Sequence, residues 1–410
     1  MPNAEHRWRI ALVIGAAIAI SYFDRQTLPV AISAIQREIP ISNTAFSQLQ
    51  AAFLTAYALM YAGGGKLIDV LGPRIGFALI MLWWSLACAG HGLAHSFGAL
   101  FTSRFLLGMG EGGAFPAATK AIAEWFPEKE RTSAMGIVNA GSAVGAIIAP
   151  PAIAAIIAGF NWRWVFFISG VIGALWVVWW LASFPRRAPD PVEERAAASW
   201  LSLLGLRSVW GLVTAKFLSD AAWYFYLFWL PKYLYDVRGF DTKRVGYFAW
   251  IPYAASGLGC LAGGFFSSWL IGRGKSLNSA RKIALGASVA AMPCVLFIVH
   301  APIQLAIVIF SIAFFGQQSW ATVLMILPAD LFPRNSVGSV AGLVGFGGAL
   351  GGVVFGLVVG YFLDHGFGYG PVFAMAGSFH VVAFLIILIS IPRIERATAT
   401  NRLEPLSTRG

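Results

Sequence analysis

Ser21-Tyr22-Phe23-Asp24-Arg25 and Arg104-Phe105-Leu106-Leu107-Gly108-Met109-Gly110-Glu111-Gly112-Gly113 put four charged side chains inside long apolar runs. A charge at the centre of a bilayer costs roughly 2.5–3.5 kcal/mol on insertion scales. Four left unpaired would cost about 10 kcal/mol, comparable to the whole stability of a domain. Such residues either face a polar path for an ion or solute, or pair with one another and tie helices together.

The surrounding composition is 58% hydrophobic and 11% charged. Soluble domains carry about 25% charged residues, so the chain reads as an all-α polytopic membrane protein whose first partner is the lipid bilayer. Stretches of about 20 apolar residues span a bilayer. They fall at roughly 10–33, 45–68, 74–93, 98–123, 132–158, 163–184, 206–235, 243–271, 282–300, 303–327, 337–363 and 370–391, about twelve in all. Arg7-Trp8-Arg9 followed by an apolar run resembles a signal peptide, but Asp24-Arg25 and the resumed apolar sequence from Leu28 read as a retained first helix.

The longest polar interruption, 185–205, divides the chain into bundles at 1–184 and 206–392, with a tail at 393–410. With the N-terminus in the cytoplasm, nineteen Lys and Arg fall on inner segments and six on outer loops. That bias sets both termini inside. It accounts for the net charge of +11 without nucleic acid. Cys88, Cys260 and Cys294 lie in apolar runs as core residues, and His91, His95, His300, His365 and His380 are scattered as surface or packing residues. No catalytic or metal-binding motif is present, so no enzyme chemistry and no cofactor are expected, and the chain reads as a monomer.

The halves repeat. Ala123-Glu124-Trp125-Phe126-Pro127 matches Ala329-Asp330-Leu331-Phe332-Pro333, and Ser133, Gly136, Gly141 and Gly145 match Ser339, Gly342, Gly347 and Gly351, every pair 206 apart. The same offset sets Gly110-Glu111 against Gly316-Gln317. A weaker echo joins the Gly65–Arg74 stretch to Gly264–Arg273, with Ser268 where Asp69 would stand.

At about 1.5 Å rise per residue, Asp24 and Arg104 share a level in the outer half of the membrane, and Glu111 lies two turns deeper than Arg104. Asp24 and Arg25 diverge by about 100° around their helix. The expected division is Asp24 toward Arg104 and Arg25 into a central cavity. A carboxylate beside an arginine is poised to titrate, because burial favours its neutral form and the cation its charged form. Arginine's planar fork suits a carboxylate guest. Neutral polar candidates for the cavity are Tyr22, Tyr57, Asn139, Ser142, Gln317, Gln318, Ser319 and Trp320, each equally readable as helix–helix glue. Trp320, Trp223, Tyr224 and Tyr226 could stack on a sugar ring. Lys216 and Asp220, four apart, are expected to pair with each other.

Gly65, Asp69, Gly72 and Arg74 resemble the signature loop of the major facilitator superfamily. Tyr22-Phe-Asp-Arg25, Arg104 through Pro116, Glu124-Trp-Phe-Pro127 and Phe228-Trp-Leu-Pro231 resemble its anion:cation symporter branch, within which the chain is similar to bacterial hexuronate and galactonate transporters. The resemblance implies twelve helices in two six-helix bundles working by alternating access. It implies that Asp24 and Glu111 exchange protons, that Arg25 binds a substrate carboxylate, and that Arg104 links binding to Asp24. Tyr22, Tyr57, Ser142, Gln317, Ser319 and Trp320 would contact a sugar acid. Gly65, Asp69, Gly72, Arg74 and Arg131, with Asp330 and Arg334 in the second half, would form a cytoplasmic gate. Where relatives often carry asparagines, this chain reads Gly342 to Gly351. The implied partners are a small organic anion and H⁺ as coupling ion. The rivals are an exchanger or uniporter with the same site, and a non-transporting sensor.

Overall fold

The computed structural model describes residues 4–126, 128–184, 203–290, 292–332 and 334–395, and their regular structure is helical, with no strand among them. In chain order the helices are α1 (Ala4–Ile35), α2 (Asn43–His91), α3 (Phe97–Glu111), α4 (Ala114–Trp125), α5 (Glu128–Gly159), α6 (Trp162–Ser183), α7 (Arg207–Asp236), α8 (Thr242–Phe248), α9 (Trp250–Gly272), α10 (Leu277–Ala290), a 3-10 turn at Met292–Phe297, α11 (Ile303–Leu331), α12 (Arg334–Asp364) and α13 (Tyr369–Ser390).

Among the described residues these make twelve helical passes, because several boundaries are breaks within a pass. The α2 helix bends where Gly72 takes φ 70° ahead of Pro73, so its two arms are separate passes. Only glycine adopts that backbone without strain. Between α3 and α4 the chain breaks at Gly112-Gly113, and a side chain at Gly112 would strike the Tyr57 carbonyl. The single helix expected over 98–123 is therefore two, with Glu111 on the last turn before the break. Eight helical stretches are long and apolar enough to cross a membrane on length and composition alone. The first arm of α2 and helices α1, α3–α4 and α7 are not among them, and the last three carry Asp24 and Arg25, Arg104 and Glu111, and Lys216 and Asp220.

Contacts group the chain into two compact units. The first joins Met1–Asp190 to Tyr226–Ala254 and Gly356–Asp364; the second joins Pro191–Phe225, Ala255–Phe355 and His365–Gly410. This grouping differs from a single cut at 185–205, a stretch that lies almost wholly outside the described residues, as does most of the tail. In the first unit, α5 lies against α1 so closely that a side chain at Gly141 or Gly145 would strike the carbonyls of Gly15 and Ala19. The distal end of α7 packs on α2, with Trp229 edge-on to Phe46 at 4.9 Å and Phe228 edge-on to Phe53 at 6.3 Å. Tyr253 Oη reaches the Leu227 carbonyl at 3.0 Å and Gln26 Oε1 at 3.0 Å, and Ser33 and Thr242 hydroxyls meet at 3.1 Å. Asp364 accepts from the backbone N–H groups of Asn43 (3.0 Å) and Thr44 (2.7 Å), the opening residues of α2. Helix starts leave such donors without partners, and a carboxylate satisfies them.

In the second unit, α12 approaches α7 the way α5 approaches α1. Side chains at Gly347 and Gly351 would strike Val213 and the Phe217 carbonyl. The glycines are displaced by 206 residues and their targets by 198 (213 − 15 and 217 − 19), so the repeat seen in sequence is a repeat of packing. An apolar core fills this unit around Leu212, Trp320, Leu324, Leu327 and Ile387.

Candidate functional site

Arg25 and Glu111 are ion-paired, Nε to Oε2 at 2.8 Å, with 2% and 0% of their side chains exposed. Ser21, one turn before Arg25, donates to the same oxygen at 2.6 Å. Three aromatic rings enclose the guanidinium: Tyr22 at 4.6 Å, Tyr57 at 4.8 Å and Phe53 at 5.6 Å. A flat cation held over ring faces and fixed by one carboxylate keeps the fork geometry that binds carboxylates.

The hydrogen bonds depart from the expected division of labour, although the Arg104 charge does reach Asp24. Asp24 does not hydrogen-bond Arg104; its Oδ1 accepts from the Ser169 hydroxyl of α6 and from Cys88 Sγ at 3.5 Å. Arg25 does not stand open but is sealed against Glu111. The reason is spacing: Ser21 and Arg25, four apart on α1, share a face, and that face meets the break after Glu111. In and beside this cluster, buried polar atoms without a hydrogen-bond partner among the described residues include all three nitrogens of Arg104, Asp24 Oδ2, Glu111 Oε1 and Nε2 of His91. The Arg104 guanidinium lies 5.9 Å from the Phe53 ring.

Asn139 and Ser142 are not part of this cluster; Ser142 Oγ donates to the Asn139 carbonyl at 2.7 Å, a bond internal to α5. The α11 residues form a separate group in the second unit. Gln317 Oε1 accepts from His380 Nε2, Ser319 and Ser288 hydroxyls meet at 2.8 Å, and the Gln318 carbonyl accepts from Thr322 at 2.9 Å. Trp320 is not an open stacking platform. Its ring is fully buried in the apolar core, edge-on to His380 at 5.8 Å, because α11 and α13 close over it. Trp223, Tyr224 and Tyr226 are buried as well. Lys216 and Asp220 pair with each other at 2.7 Å, as expected.

Of the gate residues, Gly72 forms the α2 bend, and Arg74 donates to the carbonyls of Phe184 (2.7 Å) and Leu181 (2.8 Å). Asp330 pairs with Arg281 at 2.8 Å, and Arg281 also donates to Ser267 at 2.8 Å. Side chains of Gly65, Asp69, Arg131 and Arg334 lie outside the described residues. Sequence reasoning missed Arg281, Ser169, Cys88, His91 and His380. For His91 and His380 the available signal was a lone imidazole inside an apolar helix, where an ionisable group needs a partner. For Ser169 and Cys88 there was none, since small neutral residues pack anywhere.

A family model described as Major Facilitator Superfamily matches residues 14–356. The chain belongs to that superfamily. It is thus a multi-pass membrane transporter and not an enzyme. Among its relatives are a hexuronate transporter of Escherichia coli K12, 33% identical over 423 residues, covering 96% of this chain and 97% of the relative. A galacturonate transporter of Dickeya chrysanthemi is 32% identical over 279 residues, 63% of this chain and 81% of that one. A D-galactonate transporter of E. coli O6:H1 is 28% identical, covering 96% and 97%. A crystal structure of a bacterial homologue of the human lysosomal transporter Spinster, inward-facing and occupied, superposes with a TM-score of 0.72, at 18% identity over 95% of this chain and 96% of that one. That likeness is one of fold.

Proposed function

We propose that the chain is a proton-coupled importer of a sugar-acid monocarboxylate, a hexuronate such as galacturonate or glucuronate, or an aldonate such as galactonate. The observation that carries this reading is the buried Arg25–Glu111 pair. A guest carboxylate that takes the Arg25 fork leaves Glu111 without its cation in a low-dielectric site, where a carboxylate prefers a proton. Guest and proton then enter together. Asp24, held by neutral donors rather than by a cation, is the second proton carrier. Two protons with one monoanion move one net positive charge, driven by about 2.3 kcal/mol per 100 mV. The named relatives transport hexuronates, galacturonate and galactonate, which supports the substrate class. The Lys and Arg bias supports cytoplasmic termini, and the bacterial sources of the similar transporters support a bacterial inner membrane.

The test is uptake of labelled galacturonate, glucuronate and galactonate into proteoliposomes. Accumulation of at least one is expected to collapse when a protonophore removes the gradient. Uptake indifferent to both pH gradient and potential would instead favour an exchanger or uniporter with the same site. Glu111→Gln is expected to keep counterflow exchange and lose gradient-driven accumulation about tenfold or more; full accumulation in that variant would remove Glu111 from the coupling.

A further inference from the structure

We propose that His91 is a third proton-handling residue, passing protons between the membrane face at residues 92–96 and Asp24. This rests on the proton-coupled reading above and adds a route to it.

His91 ends α2 and is fully buried. Its Nδ1 faces two carbonyls, Ala87 at 3.0 Å and Cys88 at 3.1 Å. Carbonyls only accept, so Nδ1 bears the hydrogen and Nε2 is left as a bare acceptor. That Nε2 has no partner. A buried basic lone pair with nothing to bind is costly, and a site that exchanges protons needs one.

Two parallel ladders put the imidazole one turn from Asp24. On α2, Cys88 touches Asp24 Oδ1 and His91 follows three residues later. On α6, Ser169 donates to Asp24 Oδ1, and Phe166, three residues earlier, stacks flat on the His91 ring at 4.9 Å and 8°. Three residues of helix span about 4.5 Å. A side chain at Gly90 would contact Ser103, so the end of α2 and the Arg104 level of α3 coincide.

The groups facing His91 can be named. Its own helix presents the Ala87 and Cys88 carbonyls, α6 presents the Phe166 ring, and α3 presents Arg104, whose charge reaches His91, Asp24 and Glu111; Asp24 of α1 and Ser169 of α6 stand one turn further along the ladders. Toward the 92–96 turn, Arg163 binds Glu38 at 2.5 Å, the Ala94 carbonyl at 3.3 Å and His95 at 3.3 Å. Glu38 is 46% exposed. This cap meets water, so the ladder runs from a wet surface through His91 to Asp24. The step balances simply. Nε2 takes a proton from hydronium at the cap, leaving water and giving imidazolium. It releases that proton to Asp24 Oδ2, giving neutral imidazole and a carboxylic acid.

The experiment compares His91→Gln and His91→Phe with the parent chain in proteoliposomes, reading proton-driven uptake, counterflow and the pH profile of initial rate. Phe keeps the stack on Phe166 and removes both nitrogens, so it covers a failure of Gln to fold. The expected result is a fall of about fivefold or more in driven initial rate with an altered pH profile, while counterflow stays within about threefold. Driven uptake and a pH profile identical to the parent in either folded variant would overturn the proposal. Equal loss of counterflow and driven uptake would also overturn it, since that marks a packing role. If the parent itself shows no proton dependence, the symport reading fails first; if the parent is coupled and the variants are unchanged, only the relay fails.

Discussion

Glu111 in the first unit and Gln317 in the second stand at matched points of the repeat, 206 residues apart, yet their partners differ in kind. Glu111 gathers a hydroxyl and a guanidinium on one oxygen; Gln317 gathers an imidazole on its amide oxygen. A carboxylate can trade a cation for a proton and an amide cannot. The scaffold beneath the two is nearly the same, down to the glycines of α5 and α12 that meet α1 and α7. Even there a swap occurs. In the first unit Gly108 and Gly112 of α3 press on the Phe53 and Tyr57 carbonyls of α2; in the second, Gly259 and Gly263 of α9 press on the Phe315 and Ser319 carbonyls of α11. The small residues change helix while the close approach stays. The comparison teaches that backbone proximity is the common requirement of the two units, and that at this matched position a carboxylate is laid over it in one and a neutral amide in the other.

The largest expected effect comes from breaking the charged side. Arg25→Ala should lower sugar-acid uptake by at least about 100-fold, and should cost about 3–5 kcal/mol of stability by stranding Glu111. The double variant with Glu111→Gln should recover most of the stability, read by thermal unfolding, and none of the uptake. Recovery of transport in the double variant would mean that charge is dispensable there. A middle effect probes the shared scaffold. Gly145→Leu and Gly351→Leu should each destabilise by about 3 kcal/mol, because the neighbouring carbonyl cannot move aside. A cost confined to one of them would break the packing equivalence of the units.

The smallest effect lies at the cap. Hydrogen bonding to Arg163 holds the Glu38 carboxyl below its ordinary value of 4.5. A depressed value in the folded state contributes stability above the ordinary pKa, lost as pH falls through the folded one. Glu38→Gln should therefore flatten the acid limb of a pH–stability curve below about pH 4.5 and change stability at pH 7 by less than about 1 kcal/mol. An unchanged acid limb would show that the pair adds nothing.

Much of this architecture is legible in sequence because lipid imposes it. Apolar length marks most passes, and the charged ones stand out by interrupting it. The register of Gly141, Gly145, Gly347 and Gly351 announces the repeat, since close helix packing tolerates no larger residue there. The pairing within the charged cluster was harder to read. Depth alone set Asp24 beside Arg104, whereas the structure places Glu111, at the end of a broken helix, against the face of α1 that bears Ser21 and Arg25. The break falls at two adjacent glycines, Gly112 and Gly113, inside an apolar run that reads as one continuous helix. Ser169 and Cys88 hold Asp24 from helices whose sequences carry no mark of it.

Asp364 closes the first turn of α2 from a position some 320 residues further along the chain. During synthesis, then, α1 through α6 wait with the Asn43 and Thr44 amides lacking Asp364 and with Phe46 and Phe53 lacking Trp229 and Phe228 until later segments emerge. A gene cut between the halves would yield a first fragment that is inserted but unfinished, completed only when Tyr226–Ala254 and the distant Gly356–Asp364 strip of α12 arrive.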